Sequence, residues 1–214
     1  MVEINWLGHS SFQLKTKIET IYIDPFRIKE GMDAADIILI THEHFDHCSP
    51  EDIEIISSPN TIIISNVKTL AKINSKNKQE ITIGQTIEID NIKITAVPAY
   101  NIGKTFHPKE KGYCGYIIEI DDTKIYHAGD TDLIPEMKNI VCDYALLPIS
   151  GTYTMTPEEA ANAAEQINAK TFIPIHYGSI AGASDLGEIF KEFCELKENF
   201  KDKKVEIKEI YDGK

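Results

Sequence analysis

Short apolar runs closed by turn residues open the chain, at 4–7, 11–14 and 20–24, broken by Gly8 and by Lys15-Thr16-Lys17. Runs of that length between glycine and charged turns predict a meander of strands. Pro25 stops the third run directly after Asp24 and so leaves a carboxylate at a strand end, where it can buttress a neighbouring loop. The continuous run Ile37-Ile38-Leu39-Ile40 predicts a buried strand. Ser49-Pro50-Glu51-Asp52 then supplies a capping serine, a proline for the first helical position and acids for the first turn, so a short helix is expected there.

Further along, 61–65 predicts a buried strand, 67–73 a short helix, and 81–97 three brief strands separated by Gly84 and by Asp90-Asn91. Strands are expected again at 113–120 and 124–127, joined by an Asp121-Asp122 turn, and at 143–149 and 171–175 on either side of a helix. That helix is marked by Thr156 as cap, Pro157 first, Glu158 and Glu159 in the first turn, and alanines after them. A last helix is expected over about 186–199 and a last strand near 204–210. No sequence repeat and no linker rich in Gly, Pro or Ser divides the chain, yet the order of elements repeats, strands then helix, twice. The expectation is one domain over residues 1–214, a mixed α/β sandwich whose two sheets face each other under helical outer layers.

The length of 214 residues suits such a unit with a substantial core. No apolar run approaches the roughly 18 residues of a membrane span, and the N-terminus lacks the basic and apolar regions of a signal peptide, so a cytoplasmic location is expected. A net charge of −12 argues against binding a phosphate backbone and hence against a nucleic-acid partner. Cys48, Cys114, Cys142 and Cys194 lie far apart with no C-x-x-C pair, which fits buried free thiols; Cys48, next to His47, is read as packing or as supporting the ligands from behind rather than ligating.

The chemistry is concentrated in Thr41-His42-Glu43-His44-Phe45-Asp46-His47, directly after the predicted buried strand. A single histidine is usually packed or solvated, but His42, His44, Asp46 and His47 put four donors into six positions, a density that packing does not reward. Imidazole nitrogen and carboxylate oxygen are the ligands that zinc, manganese and iron accept. Glu43 and Phe45 alternate away from that direction. His176 ends the run 171–175, and Asp130 follows a glycine that permits a sharp turn, so both project from strand ends, where α/β proteins build sites.

These residues resemble the metallo-beta-lactamase-fold hydrolases over nearly the whole chain. Asp24 looks like the first motif of that family, His42-x-His44-x-Asp46-His47 the second, Asp130 the fourth and His176 the fifth. Trp6-Leu7-Gly8-His9-Ser10-Ser11 and Tyr126-His127-Ala128-Gly129-Asp130-Thr131 resemble its branch of small metal-dependent hydrolases, related to ascorbate phosphate lactonases and N-acyl phosphatidylethanolamine phospholipase D. The resemblance implies a four-layered αβ/βα sandwich with a dinuclear metal site, His42 and His44 on one ion, Asp46, His47 and His176 on the other, and Asp130 bridging. The third-motif histidine is missing from its usual place, where the chain reads Pro98-Ala99-Tyr100-Asn101. Asn101 and His107 are the two candidates, and His107 is taken because imidazole is the better ligand.

The implied cofactors are two divalent ions, zinc first, with manganese or iron as alternatives. The implied reaction is attack of a metal-bridged hydroxide on an ester, lactone, amide or phosphodiester of a small molecule. Asp46 or a metal-bound water is the candidate proton shuttle, and His9 or Tyr177 the candidate contact to substrate oxygens, with His9 and His127 outside the metal shell. Lys104, Lys109 and Lys111 around His107 suggest an anionic substrate. The competing classes are a nuclease or phosphodiesterase acting on nucleic acid and a diiron redox protein. The sequence pattern makes no choice between a monomer and a symmetric assembly.

Overall fold

The apolar runs assemble into two mixed sheets in the computed structural model, which describes residues 1–213. In the first sheet β1 (Glu3–Gly8), β2 (Ser11–Lys15) and β3 (Thr20–Ile23) form an antiparallel meander. The sheet continues in parallel through β4 (Ile37–Leu39), β5 (Ile62–Ser65) and β6 (Lys78–Glu80), with the crossovers made by α1 (Pro50–Ile56) and α2 (Val67–Leu70). The second sheet repeats that plan. Its antiparallel part is β7 (Thr86–Ile89), β8 (Ile92–Pro98), β9 (Cys114–Ile120) and β10 (Thr123–His127). Its parallel part is β11 (Tyr144–Pro148), β12 (Thr171–Ile175) and β13 (Lys204–Val205), crossed by α3 (Pro157–Gln166) and α4 (Leu186–Glu195).

Alternation along the strands explains the layering. Ile21, Ile23, Ile37 and Leu39 enter the core shared with Ile94, Tyr116 and Ile118 of the second sheet. Their neighbours Tyr22, Ile38 and Ile40 turn the other way and pack with Ile53 and Ile56 of α1 and Leu70 of α2. A strand buried on both faces reads as a continuous apolar run, as 37–40 does, and each such side chain contributes about 1.5–3 kcal/mol on burial. In α3 the fully buried side chains are alanines 160, 161, 163 and 164, small enough for close packing beside α4, and Thr156 with Glu159 closes a reciprocal capping box. The fold is thus the α/β sandwich of two mixed sheets flanked by helices that the sequence implied.

Several boundaries differ from expectation. The first of the three strands expected in 81–97 lies earlier, at β6, because a polar edge strand, Lys78-Gln79-Glu80, pairs through its backbone and carries no apolar signal. The helix expected over 67–73 ends at Leu70, where the Lys78 ammonium donates to the carbonyls of Leu70 and Ile73. The last helix stops at Glu195, and a bend followed by a 3₁₀ turn, Glu198–Phe200, brings the Phe200 ring against Phe172. The strand expected near 204–210 is only Lys204–Val205; the chain then leaves β12, and the Tyr211 N–H donates to the Trp6 carbonyl of β1. The Asp121-Asp122 turn is as expected, both residues holding positive φ (48° and 58°), as a tight hairpin requires.

The strand ends that matter share one edge. His9 follows β1, Asp24 follows β3, the histidine loop follows β4, Asp130 follows β10 and His176 follows β12. His9, Asp24 and His176 all hold positive φ (53°, 47° and 60°), uncommon for residues other than glycine and typical of sites that over-determine their backbone. Gly115 lets β9 approach that edge: a Cβ there would lie 2.5 Å from the His127 carbonyl oxygen.

Candidate metal centre

Two sets of donor atoms meet at Asp130. On one side His42, His44 and His107 offer nitrogens within 4.8 Å of one another, with His44 Nδ1 3.0 Å from His42 Nε2 and 3.2 Å from His107 Nε2. On the other side His9, Asp46, His47 and His176 do the same. The Asp130 carboxylate lies between the sets, Oδ1 3.4 Å from His47 Nε2, and Oδ2 3.0 Å from His176 Nε2 and 3.3 Å from His107 Nε2. His47 Nε2, His176 Nε2 and Asp130 Oδ1 are buried with no hydrogen-bond partner. Buried polar atoms of that kind are costly unless something fills the space between them, and nitrogen and carboxylate donors converging this way fit a divalent cation.

The Nδ1 nitrogens of His42 and His47 are tied down from outside the site. Asp24 is fully buried; it accepts the Thr41 N–H at 2.8 Å, the Thr41 hydroxyl at 2.7 Å and His47 Nδ1–H at 2.7 Å. Because the Thr41 hydroxyl donates to Asp24, its oxygen accepts from His42 Nδ1 at 2.9 Å. Both rings therefore carry a proton on Nδ1, which leaves Nε2 as the nitrogen each turns toward the site and could offer a metal once that atom is free of its own proton. Gly129, at positive φ, packs against Thr41, 3.3 Å from where its Cβ would lie, and sets the turn that projects Asp130.

Asn101 and His107, the two candidates for the third-motif position, have different places. His107 Nε2 sits with His42 and His44, whereas the Asn101 side-chain oxygen accepts the His107 backbone N–H at 3.0 Å and faces His107 Nδ1 at 3.0 Å. The Asn101 amide is held in turn by Asp132 and by the Tyr153 carbonyl, and Lys104 ties Asp132 to the Thr154 carbonyl. Asn101 thus does for His107 what Thr41 and Asp24 do for the motif histidines. Spacing alone does not reveal this, since His107 is six residues away across a loop and the partners that fix the amide, Asp132 and Tyr153, are 31 and 52 away. Asn101→Ala is expected to lower metal affinity about 10–100-fold, read as metal retained after dialysis; unchanged retention would contradict the positioning role.

The remaining candidates divide. His9, 1% exposed, sets its Nε2 2.9 Å from Asp46 Oδ2 and so holds that carboxylate. Tyr177 is buried against Trp6, ring centroids 5.4 Å apart, and neither it nor His9 lines the cavity at the site. His127 bonds the Ser10 carbonyl and the Gly129 N–H and is structural. Lys104 and Lys109 pair with Asp132 and Glu136, and none of the three loop lysines lines the cavity. Cys48 does line it, with its thiol pushed up to about 11 by burial, a poor ligand state. The other three cysteines are buried free thiols, as expected.

That cavity, about 650 Å³, has His44, Asp46, His107, Asp130 and His176 in its wall beside Phe45, Phe106, Tyr153 and Ile180. Burial holds the His9 and His107 rings at about 4 and lowers His44 and, further, His42. Burial would also lower His47, but Asp130 and Asp24 outweigh it and raise that ring well above its usual range. Burial acts to raise Asp46, yet the His9 hydrogen bond and the His47 charge bring it to about 2. In the metal-free protein the lowered histidines bind fewer protons when folded than when unfolded, where they titrate near 6.5. Stability is therefore lost as pH falls from 6.5 toward 4. The stabilisation from His47 is complete below 6.5 and fades only as pH rises through its raised value, so it does not oppose the trend. The thermal midpoint of chelator-treated protein should fall across that window; a midpoint that holds or rises would contradict the assignment of neutral rings.

A fold of facing mixed sheets with a cluster of histidines and aspartates at one edge defines a metal-dependent hydrolase class, and comparison with known proteins agrees. The family model described as a beta-lactamase superfamily domain matches residues 3–176. A metal-dependent hydrolase from Thermococcus onnurineus is 36% identical over 194 residues, 84% of this chain and 86% of the relative. One from Methanoregula boonei is 38% identical over 189 residues, 83% of each. Among solved structures, a protein from Parabacteroides distasonis assigned as a metal-dependent hydrolase superposes with a TM-score of 0.84 at 35% identity, covering 98% of this chain and 94% of that one. A metallo hydrolase from Ignicoccus hospitalis gives 0.79 at 25% identity, covering 99% and 96%. The chain belongs to the metallo-beta-lactamase superfamily and is a metal-dependent hydrolase. No helix among the described residues is long and apolar enough to cross a membrane.

Proposed function

We propose that the enzyme hydrolyses an ester, lactone, amide or phosphodiester of a small molecule with two divalent ions, zinc first. His42, His44 and His107 would hold one ion, Asp46, His47 and His176 the other, with Asp130 between them. The observation that carries this reading is the meeting of two donor sets at one buried carboxylate, in the wall of a cavity of about 650 Å³. Bound there, the ions would polarise the scissile group and lower the pKa of a water enough to supply the nucleophile. The chain's own residues do the rest. Asp24, Thr41 and Asn101 fix the orientation of the His47, His42 and His107 rings. Asp46, ionised and anchored by His9, is the carboxylate at the cavity wall that can take a proton from the attacking water and pass it to the leaving group.

The test is purification without chelator, metal counting by mass spectrometry, and an activity screen on lactones, esters, amides and phosphodiesters with zinc, manganese and iron. Both sites filled, with turnover of at least one class that chelator abolishes and metal restores, is the expected result. A single ion per chain would refute the dinuclear part, and turnover surviving full metal removal would refute the whole.

A further inference from the structure

Among the described residues, the exposed aromatic side chains all line one cavity: Phe45 at 68% exposure, Phe106 at 42% and Tyr153 at 40%, joined by Ile180 at 38%. They stand on the segments that carry the candidate ligands. Phe45 sits between His44 and Asp46 and leans edge-on against Phe26, centroids 6.0 Å apart. Phe106 directly precedes His107 and meets Tyr153 edge-on at 4.8 Å, while Ile180 and Ala181 come from the loop after His176. The cavity thus has a polar wall of histidines and aspartates inside an apolar collar. Away from those donors the charged lining residues are Glu43 and Lys72, and the Lys72 ammonium donates to the Glu43 carbonyl.

Keeping rings in water around one opening is unfavourable unless something covers them in use. A membrane surface would call for lysines around the collar, and the chain carries a net charge of −12 with one lysine there. A flat protein partner would leave the recessed donors unused, whereas the volume of about 650 Å³ matches a small molecule.

Resting on the hydrolytic reading above, we propose that the cavity selects small esters, lactones or amides that carry an aromatic or branched aliphatic group, held by Phe45, Phe106, Tyr153 and Ile180 while the reacting carbonyl lies toward Asp130. Water adds across the acyl bond: the acyl carbon takes the hydroxyl, the leaving oxygen or nitrogen takes the proton, and the product is a carboxylate bearing the apolar group. That product is a usable probe independent of turnover.

Isothermal titration of the zinc-loaded protein with hydrocinnamate and with propanoate is expected to favour the aryl acid by roughly tenfold or more. In the Phe45→Ala/Phe106→Ala variant the two acids should bind within about twofold of each other, with metal content and thermal midpoint close to those of the parent because both rings are exposed. Equal binding of the two acids by the parent, binding of neither, or a preference that survives the variant would overturn the proposal. So would sedimentation showing a dimer that dissolves in the variant, because the collar would then belong to a second copy. An aryl preference without turnover of any ester, lactone, amide or phosphodiester would instead refute the hydrolytic reading and leave apolar selection standing, so the two failures are distinguishable.

Discussion

Asp130→Ala is expected to lose both ions and to lower turnover by at least about a hundredfold, more than the loss of an outer-shell partner. Asp130 is 3% exposed and its two oxygens together reach His47, His107 and His176 within 3.4 Å, so its removal breaks the contact between the two donor sets at once. His42→Ala acts on one side only. It removes a nitrogen from the set with His44 and His107 and leaves Asp46, His47 and His176 in place, so metal content should fall by one ion rather than two. The Asp130→Asn variant controls for folding: it keeps the shape, loses the charge, and should still retain less metal than the parent. Full retention of metal by the Asp130→Ala/His42→Ala double variant, counted by mass spectrometry, would sink the dinuclear model.

The contrast between Asp130 and Asn101 shows how far the sequence could be read. The loop after β4 is local: four donors in six positions, a strand before and a capped helix after, all legible from spacing and turn chemistry. Asp130 and His176 were legible because glycine and a strand end announce a projecting side chain. The geometry brings all of these, with His107, to one edge. Asn101 stood in the place of a ligand but serves His107 instead, and that exchange depends on a loop folding back so that the Asn101 N–H meets the His107 carbonyl at 2.8 Å. The lysines near His107 show the same limit, since a count of charges cannot say that Asp132 pairs with Lys104 and Glu136 with Lys109. The fold followed the same division. Strands buried on both faces, such as β4, were plain, whereas β6 was misplaced because backbone pairing at a polar edge leaves no apolar pattern.

Asp24→Ala should be the most destabilising change at the site that leaves every candidate ligand in place. It strands the Thr41 N–H, the Thr41 hydroxyl and His47 Nδ1–H, all buried, and removes one of the two carboxylates that keep His47 charged. Breaking a buried charge pair on one side costs about 3–5 kcal/mol, and at about 2–4 °C per kcal/mol for a chain of this size the thermal midpoint should drop by about 10 °C. Alanine adds strain at a φ of 47°, a region that aspartate and asparagine tolerate better. Asp24→Asn therefore separates two effects. Its amide keeps the turn and one acceptor and should recover part of the stability. If its NH₂ group faces His47 Nδ1, however, that nitrogen must accept, the ring proton moves to Nε2, and the ring can no longer ligate. Metal retention should then stay low in Asp24→Asn while the thermal midpoint recovers. Recovery of both together would mean that Asp24 supports the loop without setting the tautomer of His47.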